Sequence, residues 1–113
     1  MDYGVRFMLR LAAGLGCYRN GDWEAALPLL DEAVRADVIA TSGPAEVYRA
    51  LALYRLGKSQ EASEALAQAE QRLKPYLDNR IHDWRFAWNA DLCTVALDEA
   101  HQVLHRGTHE AKP

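Results

Sequence analysis

The stretch GLGCYRNGDWEAALPLLDEA at residues 14–33 decides the fold, because its framework returns as ALALYRLGKSQEASEALAQA at residues 50–69. Identical residues recur at one constant offset of 36 positions, and they are Tyr18, Arg19, Gly21, Ala26, Leu30 and Ala33, which return as Tyr54, Arg55, Gly57, Ala62, Leu66 and Ala69. A fixed period of this length, in a composition rich in helix formers, is typical of stacked helical pairs. The sequence therefore predicts two consecutive helix-turn-helix units.

The composition favours a single all-α domain. Half of the 113 residues are hydrophobic, and Ala and Leu, which favour helices, are abundant. A formal net charge of −3 with a pI near 5.8 offers no basic field for phosphates, so no nucleic-acid partner is expected. No stretch approaches the ~20 apolar residues that cross a bilayer. Cys17 and Cys93 lack a metal-type spacing and predict reduced thiols in a cytoplasmic protein.

The repeated framework resembles the tetratricopeptide repeat (TPR), a helix-turn-helix unit of about 34 residues. Six positions of the family's pattern are, in order, small, large apolar, Gly, Ala, large apolar and Ala. In the first copy these positions are Gly14, Cys17, Gly21, Ala26, Leu30 and Ala33. In the second copy they are Ala50, Leu53, Gly57, Ala62, Leu66 and Ala69. Two departures stand out, since Val38 and Lys74 replace the Pro that usually closes a repeat, and the connection is two residues longer. The resemblance covers about residues 7–75. It implies a right-handed stack of antiparallel helix pairs, a TPR-like α-solenoid.

Helical spacing and turn residues predict about five helices, over residues 3–20, 23–36, 44–56, 60–73 and 82–105. Gly21 turns the chain after the first helix in a left-handed conformation, and Asp22 is expected to cap the second. Pro28 removes a hydrogen bond inside the second helix.

Capping residues also set the later boundaries. Ser42 or Thr41 is expected to cap the third helix, with Pro44 in its first turn. Gly57 turns the chain again and Ser59 is expected to cap the fourth helix, which Pro75 and residues 78–79 stop. The expected domain covers residues 1–107, with repeat 1 at about 7–40, repeat 2 at about 43–76 and a capping helix at about 82–105. Gly107 is expected to end that helix, leaving a disordered polar tail at 108–113.

By resemblance, the first helix of each pair lines a concave groove that binds a peptide or partner segment. The residues that we place in this groove are Leu15, Tyr18, Arg19, Val47, Leu51, Tyr54 and Arg55. The two Tyr-Arg pairs would suit an extended peptide with a carboxylate or acidic side chain. Alternatively, the tyrosines pack between helices and the arginines pair with surface carboxylates. Leu15 and Leu51 stand where the family's chaperone-tail binders have Asn or a cation, so their carboxylate clamp is not expected.

Trp84, Phe86 and Trp88 suggest a second interface. Residues 84 and 88 share one helix face and residue 86 points elsewhere, so the second repeat cannot bury all three. An exposed aromatic side chain indicates a partner surface, and a homodimer is one solution. The alternative is that the loop at 74–81 folds over Phe86. Asp83-Trp84 and Glu99-Ala100 loosely resemble the ends of repeat segments in bacterial multidomain signalling proteins, including serine/threonine kinases.

The sequence contains no strong metal-binding or catalytic motif. His101, His105 and His109 are four apart, but Gly107 is expected to separate the last from the others, so no metal is predicted. We find no phosphate-binding glycine loop and no Cys-His arrangement for catalysis. The sequence therefore predicts a non-enzymatic protein-binding scaffold without a cofactor, which binds a protein or peptide and no membrane. A structural dimerisation or spacer domain of a larger bacterial signalling or multidomain protein is the alternative.

Overall fold

The computed structural model describes residues 3–36, 39–78 and 90–110, and within them it confirms the all-α class. About 90% of these residues are helical and none lies in a strand. The helices are α1 (Tyr3–Arg19), α2 (Trp23–Val34), α3 (Ile39–Arg55), α4 (Ser59–Leu77) and α5 (Ala90–Glu110). In these three ranges, every helix is too short or too polar to span a membrane.

The two predicted glycine turns are confirmed. Gly21 has φ +81° and Gly57 has φ +85°, a conformation that glycine adopts without the steric cost of a Cβ atom. After α1, the amide of Asp22 donates to the carbonyl of Cys17 at 2.9 Å, and the amide of Lys58 does the same to Leu53 at 3.0 Å after α3. Both turns are therefore Schellman motifs, and the repeated glycines end equivalent helices in the same way.

The predicted side-chain caps at these turns are wrong. Asp22 does precede α2, but its carboxylate makes no capping hydrogen bond. Lys58, rather than Ser59, precedes α4, and Ser59 is already helical. The backbone angles at Asp22 (φ −93°, ψ 68°) and Lys58 (φ −96°, ψ 61°) lie outside the β-region that aims a capping side chain at the first amides.

Two antiparallel helix pairs form the centre of the fold. In the first pair, Arg10 Nε lies 2.8 Å from Glu32 Oε2, and Gly14 faces Leu30. In the second pair, Arg72 forms an ion pair with Glu46. Three residues connect the helices of each pair, so the chain reverses direction within one short turn.

Helix α3 begins earlier than the capping signals predict. Ile39 starts the helix, and Thr41 and Ser42 are buried inside its first turns instead of capping it. The close approach of α4 explains the burial, because a Cβ atom at Gly43 would lie only 2.7 Å from Leu73 Cδ2. The apolar side chain of Ile39 also belongs to the core. Burial thus favours helix where the local sequence favours a loop.

Other helix ends also differ from the predictions. Helix α2 ends at Val34, and α4 continues past Pro75 to Leu77, where the amide of Asp78 donates to the Lys74 carbonyl at 2.8 Å. Helix α5 continues through Gly107 to Glu110, so the tail expected from residue 108 is helical over 108–110. Residues 82–89 of the predicted fifth helix lie outside the described ranges.

The core is centred on α3. This helix packs against α2 and α4, more weakly against α1, and against α5 on another side. Cys93 Sγ of α5 approaches the Gly43 position on α3, and Cys93, Ala96, Ala100 and Leu104 join the central cluster. Helix α3 is therefore enclosed on several sides, whereas α1 lies at the edge.

Candidate functional site

The C-terminal end of α1 joins three helices through one guanidinium. Arg19 Nη1 donates to Glu99 Oε2 of α5 at 2.9 Å, and its Nη2 donates to the Tyr48 hydroxyl of α3 at 3.1 Å. The hydrogen bond with Glu99 raises the pKa of Arg19, so this guanidinium stays charged. The Glu99 carboxylate therefore takes the position beside Arg19 that the carboxylate of a ligand would otherwise take.

Two tyrosine rings lie beneath Arg19. Its guanidinium carbon is 5.9 Å from the ring centre of Tyr18 and 5.5 Å from that of Tyr48, at cation–π distance. The two rings are 5.7 Å apart and tilted by 58°, which is a favourable aromatic arrangement. Burial raises the pKa of Tyr48 above its usual 10.0. The Tyr48 phenol therefore remains neutral and accepts the hydrogen bond from Arg19.

Arg55 has a different environment. Its guanidinium lies 5.9 Å from the ring centre of Trp23, and its Nε donates to the Tyr18 hydroxyl at 3.5 Å, a long hydrogen bond. Among the described residues, no carboxylate forms an ion pair with Arg55. The side chain is exposed, and no described side chain accepts a hydrogen bond from the terminal nitrogens of its guanidinium.

These side chains enclose an open cleft of about 310 Å³. The residues that line it are Tyr18, Arg19, Gly21, Trp23, Arg55 and Glu99. Counted over these described residues, two guanidiniums and one carboxylate give the cleft one uncompensated positive charge. A planar guanidinium stacked on an aromatic ring suits a carboxylate, because it can donate two parallel hydrogen bonds.

The structure brings only some of the predicted groove residues together. Tyr18, Arg19 and Arg55 line the cleft, while Tyr54 and Leu15 are half-buried and pack against the core. Tyr18 is itself buried, with its hydroxyl at the cleft. The alternative in which the tyrosine packs and the arginine pairs with a carboxylate therefore describes Tyr18 and Arg19, while Arg55 has no carboxylate partner in the described ranges.

Val47 and Leu51 are corrections to the predicted groove. Both side chains are fully buried, so neither can contact a partner while the helices remain packed. The contact of α5 with α3 adds to the cover that the neighbouring pairs provide. The family positions that would form the middle of a groove are core positions in this fold.

Sequence reasoning missed two residues that line the cleft, Trp23 and Glu99, and also Tyr48, which lies beneath Arg19. Trp23 follows the Gly21 turn directly, so its position beside the turn could have been predicted from sequence. Tyr48 and Glu99 come from α3 and α5 and have no counterpart in the repeated framework. Glu99 reaches Arg19 only because α5 packs there, and no sequence pattern near either residue predicts this contact.

A second cleft, of about 370 Å³, lies between α2, α3 and α4. Its charged side chains are largely paired, with Arg49 Nε 2.5 Å from Asp31 Oδ1 and Arg72 next to Glu46. Arg35 also lines it. Because the opposite charges neutralise one another, this cleft has less to offer a charged ligand than the one at Arg55.

The remaining candidate residues show no reactive arrangement within the described ranges. Both cysteines are free thiols, Cys17 half-buried and Cys93 fully buried, and burial raises the pKa of Cys93 to about 12. His101 Nε2 lies 2.5 Å from Glu70 Oε1. No cluster of three potential metal ligands occurs among the described residues. The predicted second interface at Trp84, Phe86 and Trp88 lies outside them.

Comparisons with protein-family models, with curated proteins and with solved structures return no match for this chain.

Proposed function

We propose that this chain is a non-enzymatic interaction module, a right-handed stack of helix pairs similar to the TPR, that binds an acidic partner segment at the Arg55 cleft. The constant 36-residue offset between the two copies supports the repeat architecture, and so does the antiparallel packing within each pair. The partner is a protein or peptide with a carboxylate, either an acidic side chain or a free C-terminus.

One observation carries this proposal: within the part of the chain that the structure describes, Arg55 is held in place but not neutralised. Trp23 and the Tyr18 hydroxyl position its guanidinium, and no described carboxylate pairs with it. Arg19, which sequence treats as its equivalent, already has Glu99 as its partner. An incoming carboxylate would therefore bind Arg55 without breaking an ion pair between described residues.

Fluorescence anisotropy with short labelled peptides tests the proposal. The panel contains peptides rich in Asp and Glu, each with a free and an amidated C-terminus, and neutral peptides of matched length. We expect binding of the acidic peptides, and Arg55→Ala should weaken it by about tenfold to a hundredfold, since a hydrogen bond to a charged group is worth about 1.5–3 kcal/mol. Arg55→Lys should be intermediate, because it keeps the charge and loses the bidentate geometry.

Arg35→Ala is the matched control, because Arg35 is also exposed but lines the other cleft. It removes the same charge from the whole molecule and should leave the affinity almost unchanged. If the two variants lose the same amount of affinity, the effect is one of net charge, and the proposed specific binding at the Arg55 cleft is contradicted. Binding by no member of the panel would contradict the proposal as a whole.

A structural role is the second candidate, in which the chain is a spacer or dimerisation domain of a larger bacterial signalling or multidomain protein. Burial of Val47 and Leu51 favours it, because a stack without an open groove offers a peptide little apolar area. In that role, Arg55→Ala would change neither the mass in solution nor the melting temperature, and the peptide panel would not bind.

A further inference from the structure

The outer face of α1 is apolar, and none of the described helices covers it. Val5, Met8 and Leu9 are 54%, 59% and 64% exposed. Ala12, Ala13 and Gly16 continue the same exposed face toward the end of the helix, and we call these six residues the α1 outer face. The exposed residues of α2 and α4 are mostly charged or polar, so this face differs from the other described surfaces of the helix pairs.

The spacing of these residues matches a helix-packing seam. Residues 5, 9, 12 and 16 follow one another at intervals of four, three and four, which is the spacing of core positions in a coiled coil. The opposite side of α1 holds the buried residues Leu11, Gly14 and Tyr18. Helix α1 is therefore apolar on two sides, and only one of them faces the core.

Bulky and small residues divide the α1 outer face into halves. The large side chains Val5, Met8 and Leu9 are at its N-terminal end, and the small residues Ala12, Ala13 and Gly16 are at its C-terminal end. We propose that this face binds the same face of a second copy of this chain, with the two α1 helices antiparallel. A two-fold axis between residues 10 and 11 would put Leu9 opposite Ala12 and Val5 opposite Gly16. A large residue would thus meet a small one at each of these seam positions, as a self-complementary isologous interface requires.

Packing and the helix dipoles favour the antiparallel orientation. In a parallel pair, the small halves would face each other across a gap. In the antiparallel pair, large residues face small ones along the seam, and the two helix dipoles oppose each other favourably. Both effects therefore favour the same orientation.

The size of the face sets the expected strength. A 17-residue helix is about 25 Å long at 1.5 Å per residue, and the seam is one helix wide. Such a contact falls below the roughly 800 Å² per partner of a standard stable interface. The dimer should therefore dissociate on dilution.

Sedimentation velocity over a wide concentration series tests the pairing. We expect the wild-type chain to shift from monomer to dimer as its concentration rises. Leu9→Glu should raise the dissociation constant at least tenfold without changing the melting temperature of the monomer, since Leu9 is exposed. Val95→Glu is the matched control, because it also places a carboxylate at an exposed apolar site, 53% exposed on α5, and it should leave dimerisation unchanged.

A mixing experiment tests the register. Leu9→Glu and Ala12→Lys, each weakened alone, should form a mixed dimer when combined, because Glu at position 9 would meet Lys at position 12 of the other chain. A mixture that associates no better than its separate components would overturn the antiparallel register. A wild-type chain that stays monomeric at every concentration would overturn the proposal, as would a dimer that persists in Leu9→Glu. Monomers that bind anionic lipid vesicles through this face would overturn it in favour of a membrane surface.

Discussion

Helices α1 and α3 have the same repeated framework but different surroundings. Each ends in Tyr-Arg followed by a left-handed glycine two residues later. Leu51 of α3 is fully buried, whereas Leu15, its counterpart 36 residues earlier, is only half-buried. The two arginines differ as well, because Arg19 pairs with Glu99 and Arg55 stacks on Trp23.

The number of neighbouring helices explains this difference. Helix α3 has a helix pair before it, α4 beside it and α5 against a further face, whereas α1 packs mainly on α2. A helix packed between several others loses surface to each of them, and a helix at the edge keeps one face open. Equivalent positions in a repeat therefore have equivalent local structure without equivalent burial or function.

The two thiols should show the largest contrast. Cys93, with its pKa raised to about 12 from 9.0, has a thiolate population near neutral pH about a thousandfold below that of an ordinary thiol, and the thiolate is the reactive form. Cys17 is only half-buried and should react first with an aromatic disulfide reagent. Cys17→Ala should leave a protein whose one thiol reacts only in denaturant. Rapid labelling of Cys93 in that folded variant would contradict the burial of this α5 thiol against α3.

Truncating the two equivalent leucines should sharpen the comparison in terms of stability. Leu51→Ala should lower the free energy of unfolding by about 2–5 kcal/mol, because it removes a fully buried side chain and leaves a cavity. Leu15→Ala should cost clearly less, since part of that side chain already contacts water. Urea denaturation of both variants, at a concentration where the chain is monomeric, measures the difference. Equal losses would mean that α1 and α3 are buried alike.

Two glycines of α1 should respond differently to substitution by alanine. A Cβ atom at Gly14 would lie 2.8 Å from Leu30, whereas one at Gly16 would meet nothing within 4 Å. Both variants gain about 1 kcal/mol of helix propensity, but overpacking at Gly14 costs about 1–3 kcal/mol. Gly16→Ala should therefore be the more stable by that overpacking cost. Matched urea curves test this, and equal stabilisation would show that α1 and α2 pack less tightly than described.

Much of the fold could be predicted from the sequence because its signals are local. The 36-residue offset and the two glycine turns depend on helix periodicity and on positive φ angles, and both describe the structure correctly. The start of α3 could not be predicted in this way. Thr41, Ser42 and Pro44 have the composition of a helix cap, and the burial of Ile39 overrides that preference through contacts with distant residues.

The candidate site could be predicted only in part, for a related reason. Tyr18, Arg19 and Arg55 belong to the repeat and line the cleft. Val47 and Leu51 were assigned to a groove by resemblance, and their burial depends on the helices packed around α3, including α5 beyond the repeats. The pairing of Glu99 with Arg19 joins residues 80 positions apart, and no periodicity reports a contact over that distance.

The central claim is that Arg55, and not its repeated counterpart Arg19, is the residue free to bind a partner. The most direct measurement compares the affinity of an acidic peptide from the panel for Arg55→Ala and for the double variant Arg19→Ala/Glu99→Ala. The double variant removes the internal ion pair as a unit, so that Glu99 is not left to repel the peptide. We predict a loss of at least tenfold for Arg55→Ala and a change of less than a few-fold for the double variant. Equal losses in the two proteins would contradict the claim and return the two arginines to the equivalent roles that the repeat suggests.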